Sequence, residues 1–333
     1  ALLEGLRALG WMTGIPEMPF QEGQGDTSRT WEWLATHDIG PSLEWVPDAH
    51  YTLSELTPDA QATILTRLQD GKDIDLLLVM GTRAGLLITK KEPPVPTLVF
   101  STSNAVLAGI VQAVDRSGHQ NVWAHMDPDR FRRQVEVFFD LFHFQKMGMV
   151  YEDSTVGRTY AAVTDVEAVA KERGFWVVRR LVDEPKSPDD RERYYQEVLK
   201  AHRELALEVD AMFLTVASLD VTWLPELLAP FYEKKIPVFS QLGTEEVKNG
   251  ALLSVSHSDF REMGRFGAET MVRVLRGTPP EDLEQVFVDT PHIALNFDVA
   301  DQIGYKIPFD ILLVADEIFL WKTHPENTVS NEK

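Results

Sequence analysis

The sequence predicts an α/β protein with doubly wound parallel sheets, in which helices cover both faces of each sheet. Five times a short, uninterrupted apolar run ends in a small polar loop, and a helical pattern follows that loop. Uninterrupted apolar runs that alternate with helical patterns are typical of strands buried on both faces of a parallel sheet. The five loops lie at 81–83, 101–103, 153–155, 217–220 and 241–244.

The composition is that of a globular protein with room for more than one core. The chain has 333 residues, which is long for a single core and sufficient for two lobes. No apolar stretch approaches the ~20 residues that a membrane-spanning helix needs. The formal net charge of −20 repels a phosphate backbone, so we expect no nucleic-acid partner. The absence of cysteine excludes disulfides, thiolate catalysis and iron–sulfur clusters.

The first strong strand comes late in the chain. Residues 14–30 have no hydrophobic periodicity, and we expect a loop there, followed by a short helix. A strand is predicted at 43–46. A helix is predicted at 53–68, because a Thr-Pro-Asp cap at 57–59 is followed by apolar positions at helical spacing. Sheets of this type begin with a strand, and none precedes residue 5, so we expect that a first strand or a cleaved leader came before.

Strands and helices then alternate through the middle of the chain. Apolar runs predict strands at 75–80, 97–100, 121–126, 147–152, 176–182, 211–216 and 237–241. Caps and apolar positions at helical spacing predict helices at 130–142, 159–173, 188–209 and 223–234.

The last third of the chain has one long predicted helix, at 259–276. That helix ends at a glycine followed closely by two prolines. Strands are predicted at 251–256, 285–289 and 293–297, and they are followed by a short helix to residue 303, an amphipathic segment at 308–320 and a polar tail.

Ligands of doubly wound proteins bind outside the carboxyl ends of the strands, where the five polar loops are expected. Serine, threonine and aspartate side chains cap helices at such positions, and the exposed backbone N–H groups favour an anion. The candidate ligand-binding residues are Gly81, Thr82, Arg83, Ser101, Thr102, Ser103, Asn104, Asp153, Ser154, Thr155, Arg158, Ser218, Asp220 and Gln241.

Four of these candidates have specific predicted roles. A ligand carboxylate would be bound at Thr82 or Ser103, where helix N-termini begin. Asp220 would pair with a ligand ammonium group, would cap the following helix, or would do both. Arg158 would bind a carboxylate through two hydrogen bonds or would form an ordinary surface ion pair. For a flat ligand the candidate contacts are aromatic, and the alternative for each is a place in the core: Phe100, Tyr151 and Trp223.

Catalytic and metal chemistry find no support in the sequence. The nine histidines are scattered, and no His-x-x-x-His pair is present, so we expect no metal site and no cofactor. The run Ser256, His257, Ser258 and Asp259 fails as a catalytic triad, because adjacent strand residues point to opposite faces. We expect no catalytic residue.

An ordered set of short segments resembles the substrate-binding proteins of ABC-type uptake systems, which have the type I periplasmic-binding-protein fold. The segments are VDAMF at 209–213, IPVF at 236–239, VKNGAL at 247–252, LRGTPP at 275–280, LNFDVA at 295–300 and IGYKIP at 303–308. The branch that includes tryptophan- and phenylalanine-binding members is the most similar.

The resemblance implies two lobes joined by three hinge crossings, with a ligand enclosed between them. The expected N-terminal lobe is 1–116 plus 243–289, and the expected C-terminal lobe is 117–242 plus 290–321, with a tail at 322–333. It implies a monomeric, non-enzymatic receptor, periplasmic or otherwise extracytoplasmic, with or without a membrane anchor. The receptor would close around an amino acid or related carboxylate and deliver it to the membrane permease of an ABC transporter.

Two other classes of function are alternatives to the receptor. A ligand-sensing regulator with the same fold would carry an N-terminal helix-turn-helix and a basic face that reads DNA, and the sequence has neither. A doubly wound enzyme would need a nucleophile–base pair, a metal cluster or a nucleotide motif, and none is recognisable.

Overall fold

The computed structural model describes residues 1–13, 27–52, 57–70, 73–90, 92–185, 188–215, 220–257, 260–288 and 290–320. Its contacts divide the chain into two units, each built from two separate stretches of sequence. The first unit comprises Ala1–Pro128 and Asp259–Asp289, and the second comprises Asp129–Ser258 and Thr290–Lys333. The chain therefore passes between the units three times, which confirms the prediction of two α/β lobes joined by three crossings.

The first unit contains a three-stranded parallel sheet in the order β1-β2-β3. Its elements are α1 (Leu2–Ala8), α2 (Ser28–Thr36), α3 (Pro58–Asp70), β1 (Leu77–Met80), α4 (Thr82–Thr89), β2 (Thr97–Phe100), β3 (Val122–Ala124) and α11 (Arg261–Leu275).

The second unit contains a seven-stranded sheet in the order β10-β9-β8-β7-β6-β4-β5, parallel except for the antiparallel pair β8–β9. Its elements are α5 (Arg130–Phe142), β4 (Lys146–Glu152), α6 (Thr155–Tyr160), α7 (Val163–Arg173), β5 (Trp176–Val182), α8 (Arg191–Leu205), β6 (Ala211–Leu214), α9 (Leu224–Tyr232), β7 (Val238–Ser240), α10 (Thr244–Lys248), β8 (Leu253–His257), β9 (Pro291–Asn296), α12 (Phe297–Ile303), α13 (Phe309–Val314) and β10 (Glu317–Phe319).

The first two passages between the units lie later in the sequence than predicted. They follow residues 128 and 258 rather than 116 and 242, because backbone pairing decides the unit to which a strand belongs. β3 pairs with β2 and stays in the first unit, while β8 pairs with β7 and stays in the second. The third passage follows residue 289, and the predicted tail at 322–333 lies outside the described residues.

Helix α1 packs closely on α11 in the first unit, and small residues make that approach possible. A Cβ atom on Gly5 would lie 2.7 Å from the Cβ atom of Ala268, and one on Gly264 would lie 2.5 Å from the carbonyl carbon of Ala1. Contacts this short are not tolerated between real side chains and backbone. Glycine at both positions therefore fixes the spacing of the two helices.

Stacked aromatic rings occupy the core of the second unit. The fully buried rings of Phe213 on β6 and Phe239 on β7 are parallel, with centroids 5.5 Å apart. Phe138 of α5 packs against Phe239 with a centroid distance of 5.2 Å. Because aromatic side chains bury large apolar areas, these rings hold α5 on the sheet.

Several predicted elements differ from the structure. Residues 43–46 are not a strand, because Trp45 packs edge-on against Trp31 at 4.9 Å and the Trp31 indole N–H donates to the carbonyl oxygen of Val46. The helical pattern after the 101–103 loop forms a series of turns instead of a helix. The predicted strand at 285–289 reduces, in its described part, to one bridge between Met126 and Val286.

Two predicted helices are interrupted. The helix at 159–173 begins earlier and breaks into α6 and α7, where Ala162 adopts a φ of 51°. The amphipathic segment at 308–320 divides into α13 and the edge strand β10. Within the described ranges every helix is too short or too polar to cross a membrane.

Candidate functional site

The carboxyl ends of β1 and β2 carry the first two predicted loops, in the first unit. Gly81 follows β1 with φ 89° and ψ 161°, and its N–H donates to the carbonyl oxygen of Phe100 at 2.8 Å. Only glycine adopts that conformation readily, so the sequence fixes this turn. Helix α4 begins at the next residue, Thr82, and no side chain caps it. A helix start without a capping side chain is a place where an anion can bind.

The loop after β2 is joined to the loop after β1 by one hydrogen bond. The backbone N–H of Ser103 donates to the hydroxyl oxygen of Thr82 at 3.2 Å, and Thr82 is buried. Asn104 closes a turn by accepting the N–H of Leu107 at 2.9 Å. Ser101 is exposed and has a positive φ of 56°. This hydrogen bond brings the start of α4 next to the loop at 101–104.

Thr102 differs from its neighbours in this loop. Its hydroxyl oxygen is buried and has no hydrogen-bond partner in the described part of the chain. Leaving a buried hydroxyl unpaired costs about 1–3 kcal/mol, so native structures rarely do it without reason. The sequence could not separate Thr102 from Ser101 and Ser103, because all three are hydroxyl residues in one loop.

The loop after β4 is the corresponding feature of the second unit. Ser154 caps α6, because its hydroxyl oxygen accepts the N–H of Gly157 at 2.9 Å. The side chains of Asp153 and Thr155 are exposed. The N–H of Asp153 donates to the carbonyl oxygen of Val182 at 3.0 Å, which fixes the start of the loop against β5.

Arg158 is loosely held. Its guanidinium lies 3.9 Å from a carboxylate oxygen of Glu167 and 3.5 Å from the Tyr151 hydroxyl, and half of its side chain is exposed. Glu167 also pairs with Arg179 at 2.5 Å. A long ion pair at a carboxylate shared with another arginine contributes little, so Arg158 keeps hydrogen-bonding capacity for a ligand.

Asp220 has the contacts of a helix cap. One of its carboxylate oxygens accepts the backbone N–H and the hydroxyl of Thr222, at 2.9 and 2.8 Å, and the other forms an ion pair with Arg191. The Thr222 backbone N–H, followed by its hydroxyl and the Arg191 charge, lowers the pKa of Asp220. These contacts are those expected for the helix-cap role that was predicted for Asp220. Ser218 lies outside the described residues.

Gln241 lies inside the second unit. Its side chain is fully buried, and its amide N–H donates to the carbonyl oxygen of Tyr160 at 2.8 Å. Its backbone oxygen accepts the side-chain amide of Gln134 at 3.1 Å. These bonds connect α5 and α6 to the end of β7, so Gln241 has a structural place whether or not a ligand reaches it.

The candidate aromatic residues lie in or against the cores of their units. Phe100 and Tyr151 are buried, and Phe100 packs against Trp123 with a centroid distance of 5.3 Å. Trp223 is partly buried between Tyr195, at 4.5 Å, and the guanidinium of Arg191, at 5.2 Å. Each therefore has the core packing that was the alternative to ligand contact.

Glu152 is a polar residue at the carboxyl end of β4 that the sequence analysis did not identify. It is the last residue of β4, it is only 5% exposed, and its Oε1 accepts the Tyr194 hydroxyl at 3.0 Å. The available signal was an acidic residue that ends an apolar strand in the run MGMVYE.

Among the described residues no group of three His, Asp or Glu side chains could hold a metal ion.

Comparisons with solved structures show the fold. An ABC domain from Streptococcus pneumoniae in complex with L-Trp has 20% identity and a TM-score of 0.64, over 96% of this chain and 93% of that one. A conserved domain protein from Vibrio cholerae has 18% identity and a TM-score of 0.65 over the same shares. A ligand-free, open substrate binding protein with adhesive properties from Clostridium difficile has 20% identity and a TM-score of 0.59, over 96% of each chain.

The family follows from the sequence itself. No curated protein resembles the chain closely enough in sequence to count as a match. The sequence model of one family, described as ABC transporter substrate binding protein, matches residues 46–319, which is most of the chain. The match covers parts of both units and all of the described polar loops. The chain belongs to the ABC transporter substrate binding protein family.

Proposed function

We propose that the chain is the extracytoplasmic solute receptor of an ABC-type uptake system, and that its ligand is an amino acid or a related small carboxylate. In this role it binds the solute and presents it to the membrane permease of the transporter. Family membership supports a small-molecule ligand and a permease partner. The observation that carries the carboxylate is the uncapped N-terminus of α4 beside the unpaired hydroxyl of Thr102.

The first unit offers hydrogen-bond donors at one place. The Thr82 oxygen accepts from Ser103, so the proton of the Thr82 hydroxyl is still available to a ligand. The Thr102 hydroxyl follows in the neighbouring loop, and the first N–H groups of α4 lack a side-chain cap. Backbone N–H groups at a helix start favour an anion by roughly 0.3–1 kcal/mol at exposed sites. In a chain with a net charge of −20, such a local group of donors supports an anion site.

The second unit has a polar loop of its own, after β4. Asp153 and Thr155 have exposed side chains at the start of α6, and Arg158 is only loosely paired. An arginine that keeps free donors can bind a carboxylate or another planar acceptor through two parallel hydrogen bonds. We propose that Arg158 and the polar groups of this loop contact the ligand.

A thermal-shift screen tests the receptor role. The twenty common L-amino acids, purines and short organic acids are added to the purified chain, and a ligand raises the apparent melting temperature because it binds only the folded form. Calorimetry then measures the affinity of each hit. A screen in which no small solute stabilises the chain would contradict the proposal.

One matched pair of variants tests the carboxylate site. Thr102→Val removes the unpaired hydroxyl, and we expect on the order of tenfold weaker binding, because a hydrogen bond to a charged group contributes about 1.5–3 kcal/mol. Thr89→Val is the control, since its buried hydroxyl donates within α4 to the carbonyl oxygen of Gly85 at 2.8 Å. Equal affinities for the two variants would show that Thr102 does not contact the ligand.

A further inference from the structure

We infer that Glu152 is the residue of the second unit that binds a positively charged group of the ligand, such as the ammonium group of an amino acid. The inference rests on the proposed receptor function and assigns the cationic part of the ligand to a residue that the sequence did not single out. Asp220, the residue that the sequence favoured for this role, already has a protein cation as its partner.

The carboxylate of Glu152 is buried and only partly satisfied. Its Oε1 accepts the Tyr194 hydroxyl at 3.0 Å. Its Oε2 has no hydrogen-bond partner among the described residues, and it is not sealed from solvent. Within the same residues no lysine, arginine or histidine forms an ion pair with Glu152. The structure thus holds one carboxylate oxygen in place and leaves the other open.

A buried carboxylate needs a cationic partner. Moving a charge out of water is unfavourable unless an opposite charge compensates it, and a tyrosine hydroxyl is a neutral donor. The other acidic side chains of this edge do not have the same need. Asp220 is paired with Arg191, and Asp153 is exposed to water, which solvates its charge. Glu152 is therefore the acid for which a ligand cation brings the largest gain.

The position of Glu152 is fixed by its surroundings. It ends a strand, and its carbonyl oxygen accepts the N–H of Ser154 at 2.8 Å. α6 passes so close that a Cβ atom on Gly157 would lie 2.2 Å from that carbonyl oxygen. The Tyr194 hydroxyl, from the first turn of α8, orients the carboxylate. A group held this rigidly binds a cation with little loss of conformational freedom.

The arrangement predicts selectivity. A site built to accept hydrogen bonds from a ligand amine rejects an analogue without the amine, because the buried carboxylate is then left without its partner. Ligands that carry an ammonium group should therefore bind, and their des-amino analogues should bind far more weakly. Amines that lack the carboxylate should keep the contact with Glu152.

Calorimetry on variants tests this assignment. The probes are the L-amino acids that stabilise the wild-type chain, together with the des-amino acid of each. The variants are Glu152→Gln, which removes the charge and keeps the shape, Tyr194→Phe, which removes the orienting hydroxyl, and Asp220→Asn as the matched carboxylate control. Circular dichroism and melting curves establish that each variant is folded.

We expect Glu152→Gln to weaken amino-acid binding on the order of ten- to a hundredfold, which corresponds to a hydrogen bond with a charged group. Tyr194→Phe should weaken binding by a smaller factor, and Asp220→Asn should change it by less than about threefold. The des-amino probe should bind the wild-type chain weakly, and Glu152→Gln should not weaken it further.

The outcomes separate this inference from the receptor role. If Glu152→Gln binds amino acids as tightly as the wild-type chain does, the inference is wrong and the proposed function stands. The same conclusion follows if all of the ligands lack a cationic group, or if Asp220→Asn causes the large loss of affinity. A wild-type chain that binds no solute contradicts the proposed function and the inference with it.

Discussion

The hydroxyl oxygen of Thr82 accepts the backbone N–H of Ser103 at 3.2 Å, and this bond joins the loop after β1 to the loop after β2. Thr82 is buried and is the first residue of α4, so the bond also fixes the helix start relative to Thr102. Polar groups that are held in position before a ligand arrives lose little freedom on binding. The first unit therefore presents preorganised donors.

The unpaired hydroxyl of Thr102 predicts a gain in stability on its removal. Thr102→Val replaces the hydroxyl by a methyl group of similar size, and we expect the free energy of unfolding to rise by about 1 kcal/mol, because the unpaired buried hydroxyl is gone. Chemical denaturation in the absence of ligand measures the change.

A buried threonine whose hydroxyl has a hydrogen-bond partner should show the opposite effect, a loss of stability on replacement by valine, in the same denaturation assay. Thr215 donates its hydroxyl to the carbonyl oxygen of Val150 at 2.5 Å. Thr215→Val removes that buried hydrogen bond and should lower the free energy of unfolding by about 1–2 kcal/mol. Destabilisation of similar size by Thr102→Val would mean that its hydroxyl has a partner in the folded chain.

The conformation of Gly81 predicts a large cost for any side chain there. With φ 89° and ψ 161° it occupies a region used almost only by glycine, so Gly81→Ala should destabilise the chain by about 1–3 kcal/mol, although no atom lies within 4 Å of the new Cβ. Denaturant melts measure this. Gly174 is the control, because its φ of 81° and ψ of 32° suit asparagine, and Gly174→Asn should cost less. Equal costs would contradict this account of Gly81.

The close approach of α6 to β4 makes a prediction about Gly157. Gly157→Ala places a Cβ atom 2.2 Å from the backbone oxygen of Glu152, and we expect a loss of about 3 kcal/mol in unfolding free energy together with weaker ligand binding. Thermal melts and calorimetry measure the two effects.

Gly148, which lies in β4, is the control for Gly157 of α6. The three atoms nearest to a Cβ atom at Gly148 would be side-chain atoms of Met212, Val209 and Leu205, at 3.3–3.4 Å. Flexible side chains can shift by a few tenths of an ångström, so Gly148→Ala should cost about 1 kcal/mol. If both variants are equally stable, the backbone contact at Gly157 does not determine the loop.

The elements that the sequence predicted best are those specified by a local pattern. The bounds of α5 and β5 agree with the predicted helix at 130–142 and strand at 176–182, because a cap and an uninterrupted apolar run are both visible within a short window. The break between α6 and α7 was not predicted. Alanine favours helix, so nothing in the local sequence indicates the positive φ of Ala162.

The parts of the candidate site that lie in loops directly after strands could be predicted from the sequence. Polar loops after β1, β2 and β4, and the Ser154 cap, follow from patterns of a few residues. The partners of the charged groups could not be predicted in this way. Arg191 lies 29 residues from Asp220, and Tyr194 lies 42 residues from Glu152, so these pairs exist only after the second unit has folded.

The histidine His202 on α8 predicts how stability depends on pH. It is almost completely buried, its Nδ1 lies 2.8 Å from the carbonyl oxygen of Val198, and its Nε2 has no hydrogen-bond partner in the described part of the chain. Burial lowers the pKa of His202 to about 4 from its ordinary value of 6.5, and the hydrogen bond with Val198 opposes this change. The folded chain therefore keeps the imidazole neutral at a pH where the unfolded chain protonates it.

The difference in the pKa of His202 between the folded and unfolded chain determines how the free energy of unfolding changes with pH. Above pH 6.5 both states are neutral at this residue, and His202 adds no pH dependence. As the pH falls from 6.5 towards 4, the unfolded state binds a proton that the folded state does not, so the free energy of unfolding should decrease by up to about 1.4 kcal/mol per pH unit. Urea titrations at several pH values across this window, compared with those of His202→Gln, isolate the contribution. We expect the wild-type chain to lose more stability than the variant, and parallel losses in the two chains would show that the protonation of His202 is not linked to unfolding.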